Sequence, residues 1–453
     1  MTNLIRTRIR WQIDSFKKSF LQCQKLPLND FFPAETIEAI IAHTPQKRTS
    51  VFSPLITLRA FIFQVLSDDS SCQQAVAGVL VDRLSQGQSA NTINTGPYCK
   101  ARQRLPLAQM AQAVATTGSR LHQQSIKAWL WHGLNVVLVD AATVLMPDTP
   151  KNQAVFPQQS NQKPGLGFPI VRLLALISLA TGAIIDYRLG AYQGKGTGET
   201  SLFSQVLNTL ITGDLLLADR YYCTFAIIAL LHAKGIPVLF PLHANKKADF
   251  RQDSKLGAKD HVVDWKKPKR KPVWMTALAY ADLPELITVR EFRVKGIVYV
   301  TTLLSAKQFN KQELASLYKE RWKIELDFLA IKTHMGMEML RCKTPEMVQK
   351  EIAVHLLAYN IIRGNLAQAA VMHDKIPRRL SFRATVQLVC QASKQMVVMT
   401  GHPLIYALLS LLKAMASIAI GLQKRKNQPR AIKRRPKPFP LLTVPRHEAC
   451  LSL

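Results

Sequence analysis

Val136-Val137-Leu138-Val139-Asp140 and Leu215-Leu216-Leu217-Ala218-Asp219 are built alike: each is an apolar run of strand length that ends on a carboxylate. Such a run reads as a β-strand. A carboxylate placed directly after it is held by the sheet and presented at the sheet's edge. Taken singly, each aspartate reads better as a turn or cap residue, a common role for Asp after a strand.

Working outward, the β-rich texture begins at Asn135. The apolar stretch Ile170 to Ile185 is divided by Thr181-Gly182 and reads as a buried hairpin, with strands over Val171 to Leu179 and Ala183 to Leu189. A helix is expected over Glu199 to Leu210, a strand over Leu215 to Ala218, a helix over Ala226 to Lys234 and a strand over Val238 to Phe240. Three strands, helix, strand, helix, strand is the order of a ribonuclease-H-like α/β core, and mixed sheets of this type carry catalytic groups at strand ends. Three other aspartates compete for that part. Asp214 begins its strand beside Gly213, Asp148 sits in a Pro147-Asp148-Thr149-Pro150 loop, and Asp186, inside a strand run, is the more serious rival.

Further on, Tyr318-Lys319-Glu320-Arg321-Trp322-Lys323-Ile324-Glu325, continuing to Lys332, places Tyr318, Arg321, Glu325 and Lys332 on one stripe of a helix. At about 100° per residue they fall at roughly 0°, 300°, 340° and 320°. Leu317, Ile324, Phe328, Ile331 and Met335 make a neighbouring apolar stripe that can pack while the polar flank faces a site. A solvated face with an Arg321–Glu325 i,i+4 pair, worth a few tenths of a kcal/mol, reads equally well from these residues alone.

The pattern Y-x2-R-x3-E-x6-K resembles the signature of the DDE transposases of bacterial insertion sequences, the branch often called YREK or IS-four. Leu217-Ala218-Asp219-Arg220-Tyr221-Tyr222-Cys223-Thr224-Phe225 is similar to that family's second-Asp motif with its downstream aromatics, and Val139-Asp140-Ala141-Ala142-Thr143 to its first-Asp strand. The likeness runs over most of residues 50 to 440. It implies that Asp140, Asp219 and Glu325 are the catalytic, metal-holding triad, while Tyr318, Arg321 and Lys332 contact DNA. Mg2+ is the expected cofactor, with Mn2+ as a substitute, because a hard cation takes carboxylate and phosphate oxygens. Two such ions about 4 Å apart would serve the attacking and the leaving oxygen of an in-line displacement. Water as the nucleophile cleaves a strand, and a freed 3′-hydroxyl joins one. Arg321 can grip a phosphate bidentately, Lys332 can supply a point charge, and Tyr318 can donate a hydrogen bond.

Charge agrees with a polyanionic partner: 60 basic against 29 acidic residues leave +31 over 453 residues. Double-stranded DNA, as element ends and target, is the expected partner, and paired ends imply a homodimer in the complex. The start Met1-Thr2-Asn3-Leu4-Ile5-Arg6 lacks the apolar region of a signal peptide. Leu404 to Ile420 contains Lys413 and reads as a core helix rather than a membrane span. Seven cysteines without a C-x-x-C pair support neither a disulfide frame nor a zinc site, and a cytoplasmic protein is expected. Gly190 to Gly198 does not match a nucleotide-binding phosphate loop.

The expected organisation is a helical part over residues 1–130, the first part of the catalytic core over 131–242, an inserted β-rich subdomain over 243–304, the Tyr318-to-Lys332 helix completing the core over 305–345, C-terminal helices over 346–422 and a basic tail over 423–453. Lys100, Arg102 and Arg104 are candidates for phosphate contacts in the first part, with a solvated basic face as the alternative. Strands are expected over Val273 to Ala279, Ile287 to Val294 and Ile297 to Leu304, the last two forming a hairpin at Lys295-Gly296. The lysine-rich loop from Lys246 to Lys271 can track a DNA backbone. The run Lys424 to Lys437 reads as a flexible nucleic-acid arm. The resemblance implies a hairpin intermediate with a flipped base, for which Tyr299 or Trp274 offers a π-face, although core packing is the stronger reading for both. The function expected is a DNA transposase. A transposase-derived DNA-binding regulator without activity and a metal-dependent nuclease without strand transfer are the alternatives.

Overall fold

Up to residue 129 the described chain is helical. The computed structural model describes residues 2–22, 31–45, 51–89, 93–194, 196–251, 254–396, 398–420 and 442–451. The first six helices are α1 (Thr2–Ser19), α2 (Ala34–Ala42), α3 (Pro54–Leu66), α4 (Cys72–Ser85), α5 (Gly96–Arg104) and α6 (Leu107–Gln123). Serine caps fix two of their starts: Ser53 Oγ accepts from the Ile56 N–H at 3.3 Å, with Pro54 in the first turn, and Ser71 Oγ accepts from the Gln74 N–H at 3.1 Å.

Next come β1 (Asn135–Leu145), α7 (Pro150–Val155), β2 (Ile170–Ser178), β3 (Ile184–Ala191), α8 (Glu199–Ser204), β4 (Asp214–Leu217), α9 (Phe225–Ala233) and β5 (Val238–Pro241). The expected strands are present and β2 and β3 form the antiparallel hairpin, but the helix expected over Glu199 to Leu210 ends at Ser204 and is followed by a 3-10 turn over Leu207–Thr209. At its turn Gly182 has a φ of +80°, and an added Cβ would lie 2.8 Å from the guanidiniums of Arg363 and Arg378. Only a glycine fits there. The β1 strand runs past the expected stop at Val139, because its antiparallel ladder with β2 continues from Val137 to Leu145.

The segment that follows adds β6 (Ser254–Gly257), β7 (Asp260–Lys266), α10 (Ala277–Ala281), β8 (Leu286–Val294) and β9 (Ile297–Thr301). All nine strands form one mixed sheet in the order β3-β2-β1-β4-β5-β9-β8-β7-β6. The β8–β9 hairpin turns at Lys295 and Gly296, both at positive φ. Val273 to Ala279 is not a strand. Pro272 precedes it, and Thr276 caps α10 by accepting from the Ala279 N–H at 3.2 Å. The β6–β7 pair was not anticipated, since its residues lie among the lysines.

Two apolar layers cover the central strands. Val136, Leu138, Leu215, Leu217 and Leu239 face one core, and Val137, Val139, Leu216, Ala218, Val238 and Phe240 face the other. Burial on both faces explains runs without alternation. The first layer holds α11 (Lys311–Lys319), α12 (Lys323–Leu329) and α13 (Pro345–Met372), together with α14 (Phe382–Met396) and α15 (Gly401–Ser417). A last helix, α16 (Arg446–Leu451), stands near the C-terminus. Almost every residue of the 28-residue α13 from Val348 to Ala370 is buried, which makes it the axis of the helical layer. The α6 helix lies so close to β3 that a Cβ on Gly118 would stand 1.7 Å from the Ile184 carbonyl oxygen. Leu404 to Ile420 is helical as expected through Ser417, and among the described residues no helix is long and apolar enough to cross a membrane. The basic run Lys424 to Lys437 lies outside the described residues.

Candidate active site

The parallel ladder between β1 and β4 ends at the pair Leu138↔Leu217. Asp140 and Asp219 each stand two residues beyond that pair. Strands of a sheet lie about 4.8 Å apart and side chains two residues on return to the same face. Both carboxylates therefore start from adjacent strands on the face of Leu138 and Leu217, where the helical layer packs. Each has one oxygen held by its own backbone: the Ala141 N–H donates to Asp140 Oδ1 at 2.8 Å and the Tyr221 N–H to Asp219 Oδ1 at 2.7 Å. Asp219 thereby caps the short turn Arg220–Tyr222.

From the helical layer, α12 brings Glu325 to the same place. Arg321 bridges the two sides, with Nη1 3.1 Å from Asp140 Oδ2 and Nη2 3.3 Å from Glu325 Oε1. Burial pushes the Asp140 carboxyl above the ordinary range, and Asp219 and Glu325 add to the shift; the Ala141 N–H and Arg321 oppose it. Burial disfavours the charge on Arg321, yet Tyr318 and the carboxylates Asp140, Glu325 and Asp219 hold it above its usual value. The Tyr318 hydroxyl is pushed up to about 12, mainly by burial. Its ring meets Tyr299 edge-on at 5.3 Å.

The stretch from Tyr318 to Lys332 is not one regular α-helix. A 3-10 turn at Glu320–Trp322 separates α11 from α12, and a π turn at Ala330–His334 follows. Lys332 lies on that π turn, half-buried, and no hydrogen bond or ion pair joins its side chain to Tyr318, Arg321 or the three carboxylates. The apolar stripe is as expected: Leu317, Ile324, Phe328, Ile331 and Met335 are all buried. Behind the site, Asp327 is fully buried and accepts from Tyr359 Oη at 2.8 Å, Arg363 Nη2 at 2.7 Å and Arg378 Nη2 at 2.8 Å. This cluster ties α12 to α13.

The rival aspartates have other partners. Asp186 accepts from Arg188 at 2.7 Å and Thr209 at 2.7 Å, Asp214 from His122 at 2.9 Å and the Ile211 N–H, and Asp148 from Gln153 at 2.8 Å. Some expected basic contacts also turn inward. Arg102 is buried, donating to Gln64 at 3.3 Å and Cys72 Sγ at 3.2 Å between the rings of Phe61 and Tyr98. Lys246 lies 3.1 Å over the Trp265 ring, and Lys267 donates to the Ala281 and Leu283 carbonyls. Tyr299 is a core residue stacked on Phe292 at 5.2 Å, and Trp274 is half-buried against the second core. One residue near the site was missed by sequence reasoning. Glu199, at the start of α8, has its carboxyl raised by burial and then by Asp140 and Asp219.

Comparisons with known proteins bear on the family of the chain. The family model of the transposase DDE domain matches residues 131–361 of the 453. The transposase InsG for insertion sequence element IS4 of Escherichia coli (strain K12) is 28% identical over 351 residues, 75% of this chain and 77% of that protein. The transposase for insertion sequence element IS421 of Escherichia coli is 30% identical over 77 residues, 17% of this chain and 21% of its own length. A cryo-EM structure of a piggyBac transposase synaptic complex with hairpin DNA superposes with a TM-score of 0.48 and 9% identity, covering 88% of this chain and 85% of that one. Residues 131–361 hold β1, β4 and α12 with all three converging carboxylates, and the chain belongs to the family of transposases with a DDE domain.

Proposed function

We propose that this chain is a YREK-branch transposase that cuts double-stranded DNA at the ends of an insertion sequence and joins them to target DNA, with Asp140, Asp219 and Glu325 as its catalytic triad. The observation that carries this reading is the parallel register that sets Asp140 and Asp219 side by side, with Glu325 tied to Asp140 through Arg321. In this reading β1 to β5 with α12 form a ribonuclease-H-like core, residues 243–304 are an insertion that lengthens its sheet, and residues 1–130 serve DNA-end binding. A homodimer would hold the paired ends.

Carboxylate oxygens on hard, partly buried groups suit Mg2+ or Mn2+. Among the described residues no three His, Cys, Asp or Glu side chains already enclose a metal-sized position. The Arg321 guanidinium lies between two of the three carboxylates and balances their charge. Bound there, a divalent cation supplies charge neutralisation at the attacking and leaving oxygens of the phosphodiester. Arg321, always charged and forked, would exchange the carboxylates for a substrate phosphate, and Tyr318 would keep it oriented. Lys332 is assigned a phosphate on the DNA beyond the π turn.

The test is an in vitro reaction of the purified protein with DNA flanking its own gene, with and without Mg2+, beside Asp140→Asn, Asp219→Asn and Glu325→Gln. Metal-dependent cleavage and joining, lost in all three variants, is the expected result. Cleavage that survives any of them overturns the triad, and end binding without cleavage by the unaltered protein identifies a DNA-binding regulator instead.

A further inference from the structure

The Cys99 thiol donates to Cys72 Sγ at 3.9 Å, although the two residues stand 27 positions apart and on different helices. Cys72 is the first residue of α4, directly after the Ser71 cap, and Cys99 lies on α5. Both are half-buried and carry free thiols, so a small solute can reach them. Gln64 of α3 ties their surroundings together. Its Nε2 donates to the Ser70 carbonyl at 2.9 Å and lies 3.8 Å from Cys72 Sγ, and its Oε1 accepts from the Tyr98 hydroxyl at 2.8 Å. The two sulfurs are thus set by three helices.

Arg102, one turn beyond Cys99, spans both sulfurs, with Nη2 3.2 Å from Cys72 Sγ and 3.6 Å from Cys99 Sγ. Its guanidinium is buried, its Nε has no partner, and no carboxylate pairs with it among the described residues. A buried charge without a counter-ion is costly. The anion that these two groups can supply is a thiolate, which a neighbouring guanidinium and a helix N-terminus both favour. Burial holds the resting Cys72 thiol above its usual value, with Arg102 the main influence against it.

We propose that Cys72 and Cys99 are a redox-active dithiol, which a low-molecular-weight disulfide closes to a bond between α4 and α5 and the corresponding thiol reopens. A disulfide is about 2.05 Å long, so the sulfurs have about 2 Å still to close. One thiol loses its proton beside Arg102, and its sulfur attacks the small disulfide and releases one small thiol. The second sulfur then attacks the mixed disulfide and releases the other. Both protons pass to the released thiols. The pair is oxidised by two electrons and the small disulfide is reduced by two.

The experiment equilibrates the full-length protein, native and in urea, with graded ratios of oxidised to reduced glutathione. Free thiols are trapped by alkylation, and the cysteines are mapped by mass spectrometry after trypsin, which cuts between the two at Arg83. The expected product is a Cys72–Cys99 linked peptide that disappears on return to reduced glutathione. Because the folded helices already bring the sulfurs together, the native protein should form it at least about tenfold more readily than the unfolded chain. In Cys99→Ser, Cys72 should instead keep a mixed disulfide with glutathione. If that variant fails to fold, the ratio between native and urea-treated unaltered protein decides the matter. No link in the native protein, a link no more favourable than in urea, or pairing of either residue with another cysteine overturns the inference.

Discussion

Asp327 stands two residues beyond Glu325 and is the group that fixes α12 against α13. Its carboxylate has no exposure and meets two guanidiniums, Arg363 and Arg378, that are themselves 7% and 5% exposed, as well as the Tyr359 hydroxyl. Asp327→Asn keeps the shape but leaves the two cations facing each other around Gly182 with no counter-charge. Breaking a buried pair by removing one partner costs about 3–5 kcal/mol, and two uncompensated arginines place this variant at the upper end. Arg378→Met leaves a one-to-one pair between Asp327 and Arg363 and loses hydrogen bonds to a charged group, about 1.5–3 kcal/mol. The double variant should cost less than the sum, because it removes one of the stranded charges. Urea unfolding gives the free energies, and hydrogen exchange across residues 323–329 shows whether α12 itself has loosened. A loss of less than about 1 kcal/mol for Asp327→Asn, the range of an exposed pair, with α12 protection unchanged, would refute the argument that this cluster holds α12 in place.

Two further predictions concern charge. Arg321→Ala removes the bridge between Asp140 and Glu325 and the proposed phosphate grip, so end cleavage should fall about 100-fold or more while the fold persists; unchanged DNA-end binding and cleavage would show the role to be wrong. His355 on α13 is buried, and burial lowers its folded pKa to about 3. The native state therefore binds fewer protons than the unfolded chain, and the contribution to stability is full above the unfolded value of about 6.5 and lost as pH falls from there towards 3. At about pH 5 the loss is about 2 kcal/mol, and His355→Leu should flatten that part of the curve in urea unfolding compared between about pH 7.5 and about pH 5.

The central strands were legible because their two-faced burial writes itself as unbroken aliphatic runs, and the two aspartates because they end those runs. The β6–β7 pair was hidden for the opposite reason. Asp260 is buried by its pair with Arg290 across the sheet, at 2.7 Å, and His261 and Trp265 are satisfied by Glu291. Polar residues that are paid for by partners some thirty positions away look like a solvated loop until the strands are aligned. Glu199 was unreadable on similar grounds, since nothing near it in the chain announces Asp140 or Asp219; an acidic residue opening a helix that returns to the sheet is the only local signal, and it equally describes a helix start.

The stretch from Tyr318 to Lys332 shows how a periodicity argument can be right about packing although the helix is not regular. A 3-10 turn winds more tightly than an α-helix and a π turn more loosely, so the Glu320–Trp322 and Ala330–His334 irregularities act in opposite directions. Their effects partly cancel along the whole stretch, and for that reason Leu317, Ile324, Phe328, Ile331 and Met335 remain buried on one side. Local departures do not cancel at the irregularities themselves. Arg321, inside the 3-10 turn, is still within reach of Glu325 because the next turn is regular. Lys332 lies inside the π turn, where the uniform 100° step does not hold. A π turn at that position costs helix regularity, and such turns are frequent at functional sites. Here the π turn lies one turn beyond Glu325 and carries Lys332.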